Sequence, residues 1–334
     1  MISLRLAFLV GLGIVFFLGK WDEGETFALV VYYLLGASFY VINIPLRTAF
    51  VQELYYDRDY SRVNSILEIE NQAAAVAIGA VAIIAMEAFG IGPILLLNAL
   101  ALFLSVVLIE MIKFHRQVRK SKSPDVLREL QDGIAILRRN SDLRLLLLVS
   151  TLPYVVVILY SYLHPVSLGA LEGASGSDYA TVKILFALGA IVAGWSLMAI
   201  PAMSSHLPQA IFWCVCLFVA TAAAQAAWPI KPVFFVIGAL FGAFNSASRI
   251  FRQTLLMNSV PAEEIGRVGA FLQFWIMALR AITLAAATGI VAHFGYKPAL
   301  WFATLIPLFG CIALIISRRA RSSLTQSQTK EKSL

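Results

Sequence analysis

Apolar runs long enough to cross a hydrocarbon layer of ~30 Å recur along the whole chain, at about 2–19, 27–50, 63–87, 93–112, 143–169, 179–200, 208–228, 232–255, 268–292 and 298–317. That pattern specifies an all-α integral membrane protein, a bundle of about ten transmembrane helices. Only 13% of the residues are charged and 60% are hydrophobic, whereas a soluble domain carries roughly 25% charged residues. Lipid must therefore solvate much of the surface. Prolines and glycines inside the runs fit membrane helices, where neighbouring helices satisfy the freed backbone groups. Arg5 followed by Leu6 to Leu18 has the look of a secretion signal, but Gly19-Lys20-Trp21-Asp22 is not a small-x-small cleavage site, so the first run is read as a membrane helix.

The net charge of +7 would suit nucleic acid if the basic residues clustered on a soluble domain. They instead sit between the apolar runs. With the N-terminus taken as cytoplasmic, the inner segments hold 21 Lys and Arg and the outer ends four, Lys20, Lys183, Lys231 and Lys297. This split predicts both termini and the long loop at 113–142 on the cytoplasmic side of the cell's inner membrane, and no nucleic-acid partner. Within that loop Ser123-Pro124-Asp125 is a helix start. Leu127, Leu130, Ile134 and Leu137 follow at helical spacing, which predicts an amphipathic helix on the inner membrane surface joining two bundles. The tail from Ser322 to Leu334 is polar and expected to be disordered.

Chemistry-bearing motifs are scarce. Cys214, Cys216 and Cys311 lie in apolar runs, and His115, His164, His206 and His293 are scattered, so no metal-ligand spacing is formed. No phosphate-binding glycine loop or nucleophile motif stands in a suitable context. The expectation is a chain that is not an enzyme, with no catalytic residues, no metal and no cofactor.

Sliding the chain against itself by 205 residues aligns its two ends without a gap. Phe89-Gly90-x-x-Pro93 falls on Phe294-Gly295-x-x-Pro298, Arg47 on Arg252, Arg62-Val63 on Arg267-Val268, and Lys113 and Arg116 on Arg318 and Arg321. Helices one to four therefore correspond to helices seven to ten in the same orientation, a parallel repeat about an axis along the membrane normal. Helices five and six, 143–200, have no counterpart, so the repeat implies about sixty further residues upstream of Met1.

Three stretches carry a family resemblance: Pro261-Ala-Glu-Glu-Ile-Gly266-Arg267-Val268, Arg62-Val-Asn64-Ser65, and Asp132-Gly133-Ile-Ala-Ile-Leu137-Arg138-Arg139-Asn140-x-x-Leu143-Arg144. In this order they resemble the start of the eleventh helix, the start of the fifth, and the end of the central loop in the major facilitator superfamily. The nearest resemblance is to the branch of macrolide and enterobactin exporters. It implies a twelve-helix fold lacking its first two helices. The parts would be an N-terminal four-helix bundle at 1–113 matching the family's helices three to six, a cytoplasmic linker at 114–142, a six-helix bundle at 143–317, and a basic cytoplasmic tail at 318–334. The family's G-x-x-x-D-R-x-G-R-R loop has no counterpart, since the resemblance begins after it. The Gly-Pro pair of exporter fifth helices is also absent, leaving Gly79 between Ala73 and Ala85.

A transporter needs polar groups near the midplane, ionisable groups for coupling, and a gate at each face. Arg280 lies mid-helix, where an unpaired charge costs at least ~2.5–3.5 kcal/mol, and it shares a face with Gln273 and Met277. The repeat sets Glu68 opposite Gln273, with Ser65, Glu68 and Gln72 as the matching stripe. Glu68 and Glu70 point ~200° apart, and one is a candidate for protonation. Tyr40 pairs with Asn245 and Asn43 with Ser248 in the cavity-lining helices, where Tyr154 and Tyr162 add aromatic surface. Arg47, Arg62, Arg252 and Arg267 are candidates for an inner gate, with Glu53, Asp57, Asp59, Glu263 and Glu264 as partners. The expected function is proton-coupled efflux of an amphipathic organic compound, of drug or siderophore type, by a monomer using alternating access. An importer or lipid flippase on the same scaffold, or a truncated remnant that does not transport, are the alternatives.

Overall fold

A computed structural model of the chain describes residues 36, 43–89, 91–111, 126–173, 175–199 and 206–331. The first apolar run and most of the second lie outside these. The described residues are helical almost throughout, with no strand among them. In chain order they form α1 (43–54), α2 (Tyr60–Phe89), α3 (Ile91–Met111), α4 (Val126–Arg138), α5 (Ser141–Val149), α6 (Leu152–Gly169), α7 (Gly176–Met198), α8 (Leu207–Ala227), α9 (Lys231–Ser259), α10 (Ile265–Phe294) and α11 (Tyr296–Glu331). Among the described residues six helical segments are long and apolar enough to cross a membrane, with α5 and α6 together making one of them.

The internal repeat reappears at the helix boundaries. Adding 205 to the first and last residues of α2 gives the first and last residues of α10, and adding it to the first residue of α3 gives the first of α11. The last residue of α1, 54, likewise lands on Ser259, the last of α9. Phe-Gly recurs at the second break, whereas the first is made by different residues, Tyr-Tyr-Asp-Arg-Asp at 55–59 and Val-Pro-Ala-Glu-Glu at 260–264.

The chain divides into two compact units, one of residues 1–47 and 74–128, the other of residues 48–73 and 129–334. In the first, Leu95 and Ala99 of α3 are buried, whereas Leu97, Leu100, Leu104 and Leu108 are exposed. In the second unit Ile184, Leu188, Val192 and Trp195 make an exposed stripe on α7, as Leu305, Phe309, Ile312 and Ile316 do on α11. Apolar residues at helical spacing on the outside are the reverse of a soluble amphipathic helix and mark a lipid-facing surface.

Inside the second unit, helix breaks are stitched by neighbours. The span 141–169 is interrupted at Ser150 and Thr151, just before Pro153. The Ser150 carbonyl accepts from Ser248 Oγ and Arg252 Nη1, both at 3.0 Å, which is how a bundle satisfies backbone freed by a break. Asn140 opens this span, its Oδ1 accepting from the amides of Asp142 and Leu143 at 3.1 Å, the N-cap geometry expected for asparagine.

The part of α4 whose side chains are described, Gln131–Arg138, lies on protein. Leu137 is 1% exposed, and Gly133 sits so close to the Arg267 carbonyl and Phe271 that a Cβ would not fit. Periodicity alone assigns this face to the membrane surface. The gap left by Gly133 lets the helix press against the start of α10 instead. Exposed ion pairs flank it, Asp132–Arg267 at 4.0 Å and Arg139–Glu264 at 3.5 Å, and such pairs contribute little.

Cys214 is buried in the core, while Cys216 of α8 and Cys311 of α11 bring their sulfurs to 3.4 Å. A short bifunctional thiol reagent is expected to join Cys216 to Cys311 in native membranes, shifting the mobility of a chain cleaved between them. Cleaved fragments that separate after treatment would refute this packing of α8 on α11.

Candidate functional site

Four helices of the second unit present polar stripes at i, i+4 or i, i+3 spacing: Thr48 and Gln52 on α1, Asn64, Glu68 and Gln72 on α2, Ser246, Arg249, Gln253 and Met257 on α9, and Ser150 with Tyr154 around the start of α6. Residues three or four apart share a helix face, so each stripe is a seam that can close on another polar seam.

They close on one another. Gln253 donates to Thr48 Oγ1. Gln52 Nε2 donates to the carbonyls of Met257 and Val260, each at 2.8 Å. Asn64 Nδ2 reaches Thr254 Oγ1 at 3.3 Å and Met257 Sδ at 3.6 Å. At the far end of the seam, Glu68 Oε1 accepts from Ser246 Oγ at 2.8 Å and Gln72 Nε2 at 2.9 Å, and faces Arg249 Nη1 at 3.4 Å. The Arg249 guanidinium also lies over the Tyr154 ring, 5.2 Å from its centroid, a cation–π contact. The side chains of Glu68 and Arg249 are 5% and 21% exposed, so this ion pair is largely out of water and its two charges depend on each other. Gly194 of α7 makes room for Ser65 and Ile69 beside it.

Two of these bonds join residues that the repeat makes equivalent. Thr48 and Gln253 are 205 positions apart, and so are Gln52 and Met257. Equivalent residues touch only near a two-fold axis, and here the ends of α1 and α9 that meet are corresponding ends. Both equivalent pairs, one turn apart, meet at once, which requires the two segments to run the same way; antiparallel copies would set Thr48 against Met257 and Gln52 against Gln253. The seam therefore has the geometry of a parallel repeat.

The other sequence candidates are placed as follows. Gln273 is buried and Arg280 half-buried on α10; Asn245 and Ser248 are buried in α9. Glu70 is exposed on α2, and Asn43 is exposed and Arg47 half-buried in α1. Tyr40 lies outside the described residues. Among the candidate gate arginines, Arg252 bonds the Ser150 carbonyl and Arg267 pairs with Asp132, while Arg62 is exposed on α2. Arg249 was not among the sequence candidates. Its repeat counterpart is Ile44, so symmetry gives no hint of it. The available signal was depth, since Arg249 sits ten residues, ~15 Å, inside the end of α9.

The described residues form an all-α bundle whose apolar helices are long enough to cross a membrane several times. A solved structure with this fold is a bacterial homologue of the iron transporter ferroportin in an outward-facing state, with a TM-score of 0.68 and 14% sequence identity over 94% of this chain and 80% of that one. No protein-family model matches the chain, and no curated protein matches it.

Proposed function

We propose that this chain is a secondary active transporter of the cell's inner membrane, a monomer that works by alternating access, and that the seam between 48–73 and the six-helix bundle is its closed inner gate. The observation that carries the reading is the seam of buried and part-buried polar contacts beside the repeat axis, ending on the Glu68–Arg249 pair. Helices that never part have no need of such a seam, because apolar packing is at least as stable as a buried ion pair. A gate that opens into water on one side of the membrane does need it, since its faces must be wettable when apart and satisfied when closed.

Glu68 is the coupling group in this reading. Taking up a proton removes the charge that faces Arg249 and weakens the closed seam. The net movement is proton-coupled efflux of an amphipathic organic compound. The iron named for the solved neighbour belongs to that protein, and efflux, the proton and the organic substrate are proposed here on the residues of this chain.

The test uses cells and inverted membrane vesicles with and without the gene, loaded with labelled organic compounds, with and without a protonophore. A gene-dependent flux that the protonophore abolishes is expected. In the same vesicles T48C with Q253C, in a background with Cys214, Cys216 and Cys311 replaced, should lose that flux on mild oxidation and regain it on reduction. Flux that persists with the two positions cross-linked would rule out this seam as the gate.

A further inference from the structure

Glu68, at the far end of the seam, is engaged through Oε1 by Arg249, Ser246 and Gln72. Arg280 is not part of that arrangement. It lies fifteen residues into the thirty-residue α10, near its middle and ~10 Å beyond Gln273 along the axis. The buried stripe of α10 runs through Ile265, Leu272, Gln273, Ile276, Thr283 and Ala287. At ~100° per residue Arg280 falls on that stripe, about 20° from Gln273 and about 40° from Ile276. It therefore points to the protein side of the helix and not to lipid, yet it is only half-buried. Among the described residues its guanidinium has neither an ion-pair nor a hydrogen-bond partner. Gln273, 4% exposed on the same stripe, also has its Nε2 donor unsatisfied.

Two unsatisfied donors on one inward face, one of them cationic, call for acceptors brought by a ligand. Resting on the transport reading above, we infer that the transported compound carries an oxyanion, a carboxylate or its like, received by Arg280 with Gln273 as a second donor two turns nearer the closed gate. The position is that of a substrate held mid-membrane above a shut inner gate. A guanidinium binds an oxyanion through two parallel N–H···O bonds, which a lysine cannot reproduce.

The experiment measures binding, so it does not depend on transport. Purified chain in detergent is titrated with three naphthalene probes of matched shape: the carboxylic acid, its primary amide and the aminomethyl cation. Thermal stabilisation is the readout. The acid is expected to stabilise and the amide and cation not. R280Q should weaken the acid roughly thirtyfold or more, R280K less, and Q273A by several-fold. Should R280Q fail to fold, R280K and Q273A carry the same ordering. Three results would overturn the inference: equal stabilisation by acid and amide, preference for the cation, or no acid binding across a series of ring sizes. An R280Q that is merely less stable, with its probe preference intact, would make Arg280 structural and overturn it too. Acid binding without any vesicle flux would sink the transport reading and leave the anion site standing.

Discussion

Replacing Glu68 by Gln is expected to open the seam between 48–73 and α9 without unfolding the bundle. The glutamine keeps one acceptor oxygen for Ser246 and Gln72, which both bond Glu68 Oε1, at 2.8 and 2.9 Å, but removes the negative charge that faces the Arg249 guanidinium, 21% exposed. Removing one partner of a buried pair costs ~3–5 kcal/mol. The chain has a cheaper response than unfolding, which is to part 48–73 from α9 and let water reach the arginine. Since about 1.4 kcal/mol is a factor of ten in an equilibrium, this is enough to shift the seam from mostly closed to mostly open. Labelling of T254C by a membrane-impermeant maleimide, in a background with Cys214, Cys216 and Cys311 replaced, reads the change. Thr254 is 1% exposed, so labelling should be slow in the parent and at least tenfold faster with E68Q.

The reverse substitution, Arg249→Met, should open the seam as well, because Glu68 is then the uncompensated charge. The pair E68L with R249M should close it again, since apolar residues of similar volume replace an ion pair at little cost. That double variant separates stability from function. It should be slow to label and yet carry no proton-driven flux. A double variant that still transports under a proton gradient would show that coupling lies elsewhere, and equal labelling in all four chains would show that the pair does not hold the seam.

The bundle was legible in the sequence to a degree that the site was not. Apolar runs and a constant offset of 205 residues are long-range, redundant signals, and the ends of α2 and α10 agree with that offset at both residues. The stripe of Ser65, Glu68 and Gln72 was also readable, because polar residues on a membrane helix stand out against their neighbours. What the sequence hid was which cation answers Glu68. Repeat logic points from Glu68 to Gln273, its counterpart, whereas the answering residue is Arg249, whose own counterpart is Ile44. The ion pair is where the two halves stopped being copies, and a symmetry argument is blind to such a place. Arginines that the repeat does match turned out otherwise occupied, Arg252 with a backbone carbonyl at a helix break and Arg267 with Asp132 in the linker helix.

A second feature hidden in the composition gives the other large expected effect. Gly238-x-x-x-Gly242 on α9 faces Gly189 on α7, and these two helices have the most extensive contact in the second unit. A Cβ on Gly242 would run into the Phe186 carbonyl, one on Gly189 into the Ala239 carbonyl, and one on Gly238 would crowd Val182. The obstructing atoms at Gly189 and Gly242 are backbone, so no rotamer change can relieve them and the helices must separate. In lipid the association of helices rests on close packing, because burying apolar side chains gains nothing over contact with acyl chains. Overpacking typically costs ~1–3 kcal/mol, and separating the pair along its length adds the loss of its van der Waals contacts. G242A is therefore expected to lower the thermal stability of the purified chain markedly, and G242V to leave almost no monodisperse protein after detergent extraction. Gly289, in α10, has open space where its Cβ would go; G289A should be neutral or stabilise by up to ~1 kcal/mol, the gain for alanine over glycine in a helix. Size-exclusion profiles and melting curves of the three variants decide the matter: a G242V chain that is as monodisperse and as stable as G289A would mean that α7 and α9 do not meet at these glycines.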